Sequence, residues 1–308
     1  MSGAPGTSRV SGPDRLVLRQ SRPVLRPAAV LFGLGLVTVL GLRLVGVGDG
    51  SPHRAAMRAL TEHAGHAAVL GPLLIGALVA GPLVARELDS GTYRLAWTLG
   101  MSPARWLGAK IGVAAGAAAA GSVLLGVVFR LGQGAVEGGF FPWHQAHAYA
   151  ASGTAGTAYA LLGVAVGALT GLLVRRTLLA AGAAAVATGA LTLAVGRVRE
   201  YLWPVVTVTR PAAPGTPPAV LPSPWEVSSG PLTASGKRLP WRYCWEQPPE
   251  TYADPNGCMA SRGAVSHFSD LHPESHFWPL QLMETAVVLV LAAGAVWLAF
   301  RVLRRVHG

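Results

Sequence analysis

Long uninterrupted apolar stretches dominate this chain, in place of the period-two alternation of half-buried strands or the one-faced pattern of surface helices. Six of them fall at about 27–47, 67–85, 111–129, 148–174, 177–196 and 279–300. Each is long enough to cross about 30 Å of hydrocarbon, which takes about 17 to 25 helical residues. The pattern therefore predicts an all-α membrane protein with six transmembrane helices. The first span is the least regular, because Arg43 lies near its end, where a long side chain can snorkel to the outer head groups. Residues 1–26 are too long and too basic for a signal peptide, and no A-x-A site follows, so the first span is read as a retained helix.

The stretch between the fifth and sixth spans, residues 197–278, has a different character. It carries most of the prolines, five of the nine tryptophans and both cysteines, and no apolar run of membrane length. This predicts a small extracytoplasmic domain whose ordered part begins near Trp225, after a proline-rich linker at 211–218. The resulting division is a cytoplasmic N-terminal segment (1–26), five helices (27–196), the outer domain (197–278), and the sixth helix with a cytoplasmic tail (279–308).

Charge sets the orientation. With the N-terminus inside, Arg9, Arg15, Arg19, Arg22, Arg26, Arg86, Arg94, Arg105, Lys110, Arg175, Arg176, Arg301, Arg304 and Arg305 all fall on the cytoplasmic side. Short loops rich in arginine and lysine stay inside. Most of the remaining basic residues lie in the long 197–278 stretch, where the rule has little force. The net charge of +11 is thus explained by membrane topology rather than by nucleic acid, and only 13% charged residues argues against a water-soluble fold. Arg15, Arg19, Arg22 and Arg26 recur at helical spacing, with Leu16, Val17, Leu18, Val24 and Leu25 elsewhere on the wheel, as in an amphipathic helix on an anionic leaflet; Pro23 interrupts it.

The most patterned polar segment joins spans two and three, residues 86–110. A plain connection needs few residues. This one has more than twenty, with Glu87 and Asp89 ahead of Arg94, a turn at Ser90-Gly91, Trp97 and Trp106, and a helix start at Ser102-Pro103. It reads either as a short helix that docks a soluble partner or as an interfacial loop with its tryptophans among the head groups.

The run Arg86-Glu87-x-x-Ser90-Gly91-Thr92-Tyr93-Arg94-Leu95-Ala96-Trp97-Thr98, followed by Arg105-Trp106-x-x-x-Lys110, resembles the cytoplasmic loop of bacterial type-2 ABC exporter permeases. A second likeness is His276-Phe-Trp-Pro-Leu-Gln-x-x-Glu284-Thr285 before the last span, and the layout of six spans with a large outer loop between five and six is also similar. Leu99-Gly100 departs from the polar pair that follows Trp-Thr in that pattern. The resemblance implies the permease subunit of an ATP-driven exporter in a bacterial plasma membrane, with both termini cytoplasmic. It implies a separate ABC ATPase subunit that binds ATP and Mg, and a second permease subunit, identical or different. Arg86, Glu87, Asp89, Gly91, Thr92, Arg94 and Trp97 then inherit the ATPase-coupling role. The chain itself is expected to be neither enzyme nor cofactor-binding. Neither of its lysines, Lys110 and Lys237, stands in a Gly-x-x-x-x-Gly-Lys-Ser/Thr phosphate loop.

Other features carry weaker signals. Gly163, Gly167 and Gly171 form a small-residue stripe in span four, and Gly112 with Gly116 another in span three; such stripes serve helix packing within one chain or between subunits. Glu284 is the lone acid within a span, a functional candidate or a wetted helix start. With Ser152, Thr154, Thr157 and Tyr159 it makes a candidate substrate path, and the small apolar helix faces point to a lipophilic cargo. Cys244 and Cys258, in an oxidising compartment, are expected to pair across about fifteen residues, worth about 3 kcal/mol. Trp241, Tyr243, Trp245 and Tyr252 would pack on that bridge.

His267, His272 and His276, with Asp270 and Glu274, are metal-ligand types, but Pro273 and the order of residues do not suit an H-E-x-x-H helix, and no metal is expected. Two alternatives remain at this stage: a membrane enzyme using that histidine and carboxylate cluster, and a membrane scaffold.

Overall fold

Ser51-Pro52 and Ser102-Pro103 each begin a long helix in the same way. The serine is extended, its Oγ accepts the amide three residues on (Arg54 N at 3.2 Å, Arg105 N at 3.3 Å), and the proline takes a first-turn position that needs no donor. The structure is a computed structural model that describes residues 30, 33–48, 50–98, 100–211, 224–239 and 255–307. The predicted N-terminal amphipathic segment, Cys244 and the surrounding aromatics lie outside the described residues.

Helix α1 covers Gly33–Val45. Helix α2 (Pro52–Leu74) runs through a π-helical turn (Ile75–Ala80) into α3 (Gly81–Ser90), a continuous rod of 39 residues, about 58 Å long. Then come α4 (Tyr93–Thr98), α5 (Pro103–Gln133), α6 (Ala146–Ser152), α7 (Ala155–Val174) and α8 (Thr177–Val198). After β1 (Val206–Pro211), β2 (Trp225–Thr233), α9 (Pro255–Ser261) and β3 (Ala264–His272), the long α10 (Phe277–His307) closes the chain. Among the described residues five helical segments are long and apolar enough to cross a membrane: Pro52–Ser90, Pro103–Gln133, Ala155–Val174, Thr177–Tyr201 and Glu274–Arg305. The chain is a multi-pass membrane protein. Described α1 is apolar but too short to cross on its own.

Two compact units divide it, Met1–Val198 with Gln281–Gly308, and Arg199–Leu280. In the helical unit α7 is buried on nearly every side and packs against α2, the π-turn, α3, α5 and α8. Its glycine stripe decides how closely. A Cβ at Gly163 would come 2.1 Å from the Pro72 carbonyl oxygen, one at Gly167 2.7 Å from Gly76 O, and one at Gly171 2.8 Å from Gly81 O. Span four's stripe is therefore packing within the chain, against the rod's backbone. Gly112 and Gly116 on α5 meet nothing within 4 Å. The π-turn has a local cause as well. Pro82 has no amide for the Leu78 carbonyl, and the widened turn lies where that bond is missing.

Arg43 does not snorkel. Its Nε donates to Leu131 O at 2.8 Å, near the C-terminal end of α5, where orphan carbonyls and the helix dipole favour a cation. Val39 on α1 packs into a cluster with Met57, Phe129 and Phe141. The expected span 148–174 is not one helix. Gly153 is extended (φ −126°, ψ −158°) and separates α6 from α7.

The second unit corrects the all-α expectation. It holds a three-stranded antiparallel sheet in the order β1-β3-β2, with Thr207 opposite Asp270 and Ser228 opposite Asp270 across the central strand. Order begins with β1, before the proline-rich stretch and not at Trp225. Val206-Thr-Val-Thr209, ahead of the 211–218 linker, has the β-branched composition of a strand, a signal that an ordered part starting near Trp225 passes over.

Asp270 is buried and accepts from the Thr207 hydroxyl (2.5 Å) and from both Arg238 terminal nitrogens (2.5 and 3.0 Å), while the Arg238 guanidinium covers the Phe268 ring at 4.2 Å. Burial pushes the Asp270 carboxyl up, but the Thr207 and Arg238 hydrogen bonds and the Arg238 charge outweigh it and hold the group below its ordinary 3.8. Cys258 is buried and disulfide-bonded.

Candidate functional site

At one end of the 39-residue rod the chain turns through a compact elbow. Helix α3 ends at Gly91, whose left-handed conformation (φ +72°) suits glycine, and Arg94 N returns to Gly91 O at 3.1 Å to start α4. Gly100 (φ +86°) closes α4 and Ser102 caps α5.

A buried ion pair holds the elbow to the bundle. Lys110 Nζ lies 2.8 Å from Glu87 Oε1 and donates to Leu83 O at 2.9 Å; the Lys110 side chain is 1% exposed and that of Glu87 21%. Trp106 Nε1 donates to Glu87 Oε2 at 2.8 Å, and the Lys110 ammonium sits 5.2 Å from the Trp106 ring centre. Positions 106 and 110 are one helical turn apart, so both reach α3 from one face of α5. Trp97 meets Trp106 edge-on at 6.3 Å and Tyr93 at 4.6 Å. Below them Val84, Leu107, Leu172, Ala299 and Leu303 form an apolar cluster. Trp106 is thus a core residue and not a head-group anchor.

The seven expected coupling residues separate into two sets. Arg86, Asp89, Thr92 and Arg94 are exposed; Glu87 and Trp97 face the bundle, and Gly91 shapes the turn. Thr92 bonds the Ser90 hydroxyl (3.0 Å), and Asp89 Oδ2 accepts from Thr177 at 3.4 Å. Lys110 and Trp106 complete the mount. Their role was readable from the i, i+4 spacing, but the carboxylate that joins them lies across a turn.

A second polar cluster lies at the α6–α7 break. Gln281 bridges it, its Nε2 donating to Tyr149 O (2.8 Å) and its Oε1 accepting from Ala155 N (2.9 Å). One amide therefore pairs two backbone groups that the break would otherwise orphan. Gly153 leaves room for it, since a Cβ there would fall 2.2 Å from Gln281 Cδ. One turn further along, Tyr159 donates to Glu284 Oε1 at 2.5 Å, and Thr154 and Thr285 hydroxyls meet at 2.8 Å. Glu284 and Gln281 are both 0% exposed, so the wetted helix start is overturned. The Ser152 carbonyl accepts from Arg130 Nε at 3.1 Å, and Thr157 is half-buried. Of the candidate path residues, Thr154, Tyr159 and Glu284 thus come together along α10; Gln281 and Tyr149 join them.

The histidine and carboxylate cluster of the sheet unit is divided by strand geometry. Asp270 is committed to Arg238 and Thr207, whereas His272 pairs with His276 (Nδ1 to Nδ1, 3.1 Å) and with Glu200 O (3.0 Å).

Residues 51–199 match the family model described as ABC-2 membrane transporter related. The matched region runs from the cap of α2 through the elbow to the end of α8. Over that region, a little under half of its length, the chain is similar to ABC-2 membrane transporter related proteins, which supports an ABC-2 type permease. No curated protein and no solved structure matches the chain. Members of the ABC-2 permease type are transport components that associate with an ATPase subunit, and the elbow lies within the matched region.

Proposed function

We propose that the chain is the membrane subunit of an ATP-driven exporter, with the elbow at residues 86–102 as the surface on which a separate ATPase subunit docks. The observation that carries this reading is the mounting of the elbow. An elbow formed by the end of α3, the turn and α4, with exposed Arg86, Asp89, Thr92 and Arg94, is fixed to the bundle by a buried Lys110–Glu87 pair between α5 and α3, inside the family-matched region. A surface that only obeyed membrane topology would need arginines but no internal ion pair. Motion imposed on α4 would pass directly to α3 and α5, because Glu87 and Trp106 tie the two helices together.

In this reading α1 completes a sixth span, both termini are cytoplasmic in a bacterial plasma membrane, and the sheet unit is extracytoplasmic, where Cys244 would be the partner of Cys258. Two permease subunits, identical or different, enclose the path, ATP and Mg stay on the partner, and the cargo is a small lipophilic molecule that passes near Ser152, Thr154, Thr157, Tyr159 and Glu284.

Purification of the tagged chain from its own membranes tests the reading. An ATPase with a phosphate loop should co-purify, and Arg94→Glu with Asp89→Arg should lower its recovery by about tenfold or more, as reversed charges at a docking rim do. Absence of any ATPase, or undiminished recovery with the charge-reversed elbow, would sink it.

A further inference from the structure

The first turns of α2 lie beyond the hydrocarbon. The α2–α3 rod is about 58 Å long against about 30 Å of acyl chain, and Arg54, Arg58, Glu62, His63 and His66 all precede its apolar run at 67. Here α6 is laid against α2, and a histidine fills the contact. A Cβ on Gly65 would come 2.8 Å from His147 Cδ2 and 3.2 Å from the His147 carbonyl oxygen, so glycine leaves the slot that the ring occupies. In it, His147 stacks on His66, with centres 5.0 Å apart and planes 14° from parallel, and meets Phe141 edge-on at 4.7 Å. Phe141 is fixed in turn, its amide donating to Gln133 Oε1 at 3.2 Å. Nε2 of His147 is buried and has no hydrogen-bond partner among the described residues.

We propose that His147 and His66 form an acid-operated latch, in which the neutral His147 ring holds α6 to α2 and its protonation releases α6. A neutral imidazole suits a slot made of rings and a glycine. Protonation turns both ring nitrogens into donors, so Nε2–H becomes a buried, charged donor without an acceptor, stacked on a second ring that also titrates. Burial first, and then the His66 charge, hold His147 below its ordinary 6.5, with Glu62 on α2 pulling the other way. Around α6 stand also Arg58, over the Phe141 ring, and His144 in the loop before it. On α5 and α1, Arg130 and Arg43 are engaged with Ser152 O and Leu131 O, and Tyr159 of α7 is bonded to Glu284 of α10.

A helix of seven residues has little stability of its own, so its contacts decide whether it stays in place. Besides the latch, α6 is tied by Ala148 and Ala151 in the cluster around Val39 and Phe129, and by Gln281 Nε2 on Tyr149 O at 2.8 Å. Tyr149 is two residues from His147, so release of α6 draws on the Gln281 bridge that spans the α6–α7 break. A released ring returns to its ordinary value and binds the proton more tightly than the latched one. Protection of α6 therefore falls as pH drops through 6.5. The latch requires no ATPase and is independent of the transport reading.

Hydrogen–deuterium exchange of the full-length chain in neutral detergent, at about pH 7.5 and about pH 5.5 and corrected for the intrinsic pH dependence of amide exchange, tests it. Amides of 146–152 should lose protection by about threefold to tenfold at the lower pH. About tenfold is the ceiling, because a released imidazole is then about ten parts protonated to one. His147→Phe keeps a flat ring without the proton and should abolish the loss; His66→Gln, a change at an exposed position, should shrink it. Equal protection of 146–152 at both pH values in wild type would overturn the proposal. So would a loss in His147→Phe as large as in wild type or, should that variant not fold, an undiminished loss in His66→Gln.

Discussion

Replacing Lys110 with methionine, or Glu87 with glutamine, breaks a buried ion pair that links α3 to α5, and the geometry sets the cost. The ammonium is held by Glu87 at 2.8 Å and by a single carbonyl, Leu83 O, at 2.9 Å, with its side chain 1% exposed. Without the carboxylate charge it remains buried with one neutral acceptor. Removal of one member of such a pair costs about 3–5 kcal/mol, because the other is left as an uncompensated charge. In a unit of this size that corresponds to a fall of roughly 6–20 °C in melting temperature. Glutamine at 87 still accepts from Trp106 Nε1, so the single change isolates the charge.

The double variant Glu87→Gln/Lys110→Met removes both charges and should recover most of the loss, since buried pairs exchanged for neutral residues of similar volume are often near neutral. Fluorescence-detected size-exclusion melting of the full-length chain in detergent gives the four corners of the cycle. If the two single variants lie within about 1 kcal/mol of wild type, or their effects simply add, the pair does not hold the elbow and the argument fails.

The glycine stripe makes an opposite pair of expectations. Gly163→Val drives a side chain into the Pro72 carbonyl and should destabilise the unit by about 1–3 kcal/mol or more, whereas Gly112→Ala, with nothing within 4 Å, should stay within about 0.5 kcal/mol; equal effects in the same melting assay would contradict the packing. Gln281→Leu orphans Tyr149 O and Ala155 N and should cost about 1–3 kcal/mol for each group left unpaired, with faster amide exchange at 153–156 as its local signature; unaltered exchange there would count against the bridge.

In the sheet unit, the Asp270 carboxyl lies below its ordinary 3.8, so its contribution is complete above that value and is lost as pH falls through the lower folded value. Wild type should therefore lose stability more steeply than Asp270→Asn below about pH 4, and parallel profiles would refute the assignment.

The membrane-spanning class was legible because apolar length is a one-dimensional property of the chain, and the elbow because turn and cap chemistry is local: Ser90-Gly91 and Ser102-Pro103 stand where the helices end and begin. The same Ser-Pro signature at 51–52 marks the true start of α2, fifteen residues before the apolar run at 67. Hydropathy sees only the stretch that lipid covers, not the polar turns that extend the same helix. The break in the fourth apolar run was not legible. Gly153-Thr154 is one small pair among many, and what fixes it is Gln281, more than 120 residues away in sequence. Arg43 was visible as an anomaly, but its acceptor, Leu131 O, is a backbone atom that no sequence pattern distinguishes.

The glycine stripe shows why proximity alone could not settle its role. Small residues every four positions serve an interface with a second subunit as well as one within the chain, and only the partner backbone discriminates. Here the partner is the α2–α3 rod, approached at Pro72, Gly76 and Gly81 on both sides of the π-turn. That arrangement bears on the proposed coupling. A helix interrupted by a π-turn and two prolines would absorb a push at its end by bending, unless the interruption were clamped. Backbone-to-backbone contact with α7 at three successive turns is such a clamp, because no side chain stands between the helices to rotate out of the way. Displacement of the elbow would then move α3 and α7 together, and Gly163→Val should uncouple them even at temperatures where the chain remains folded.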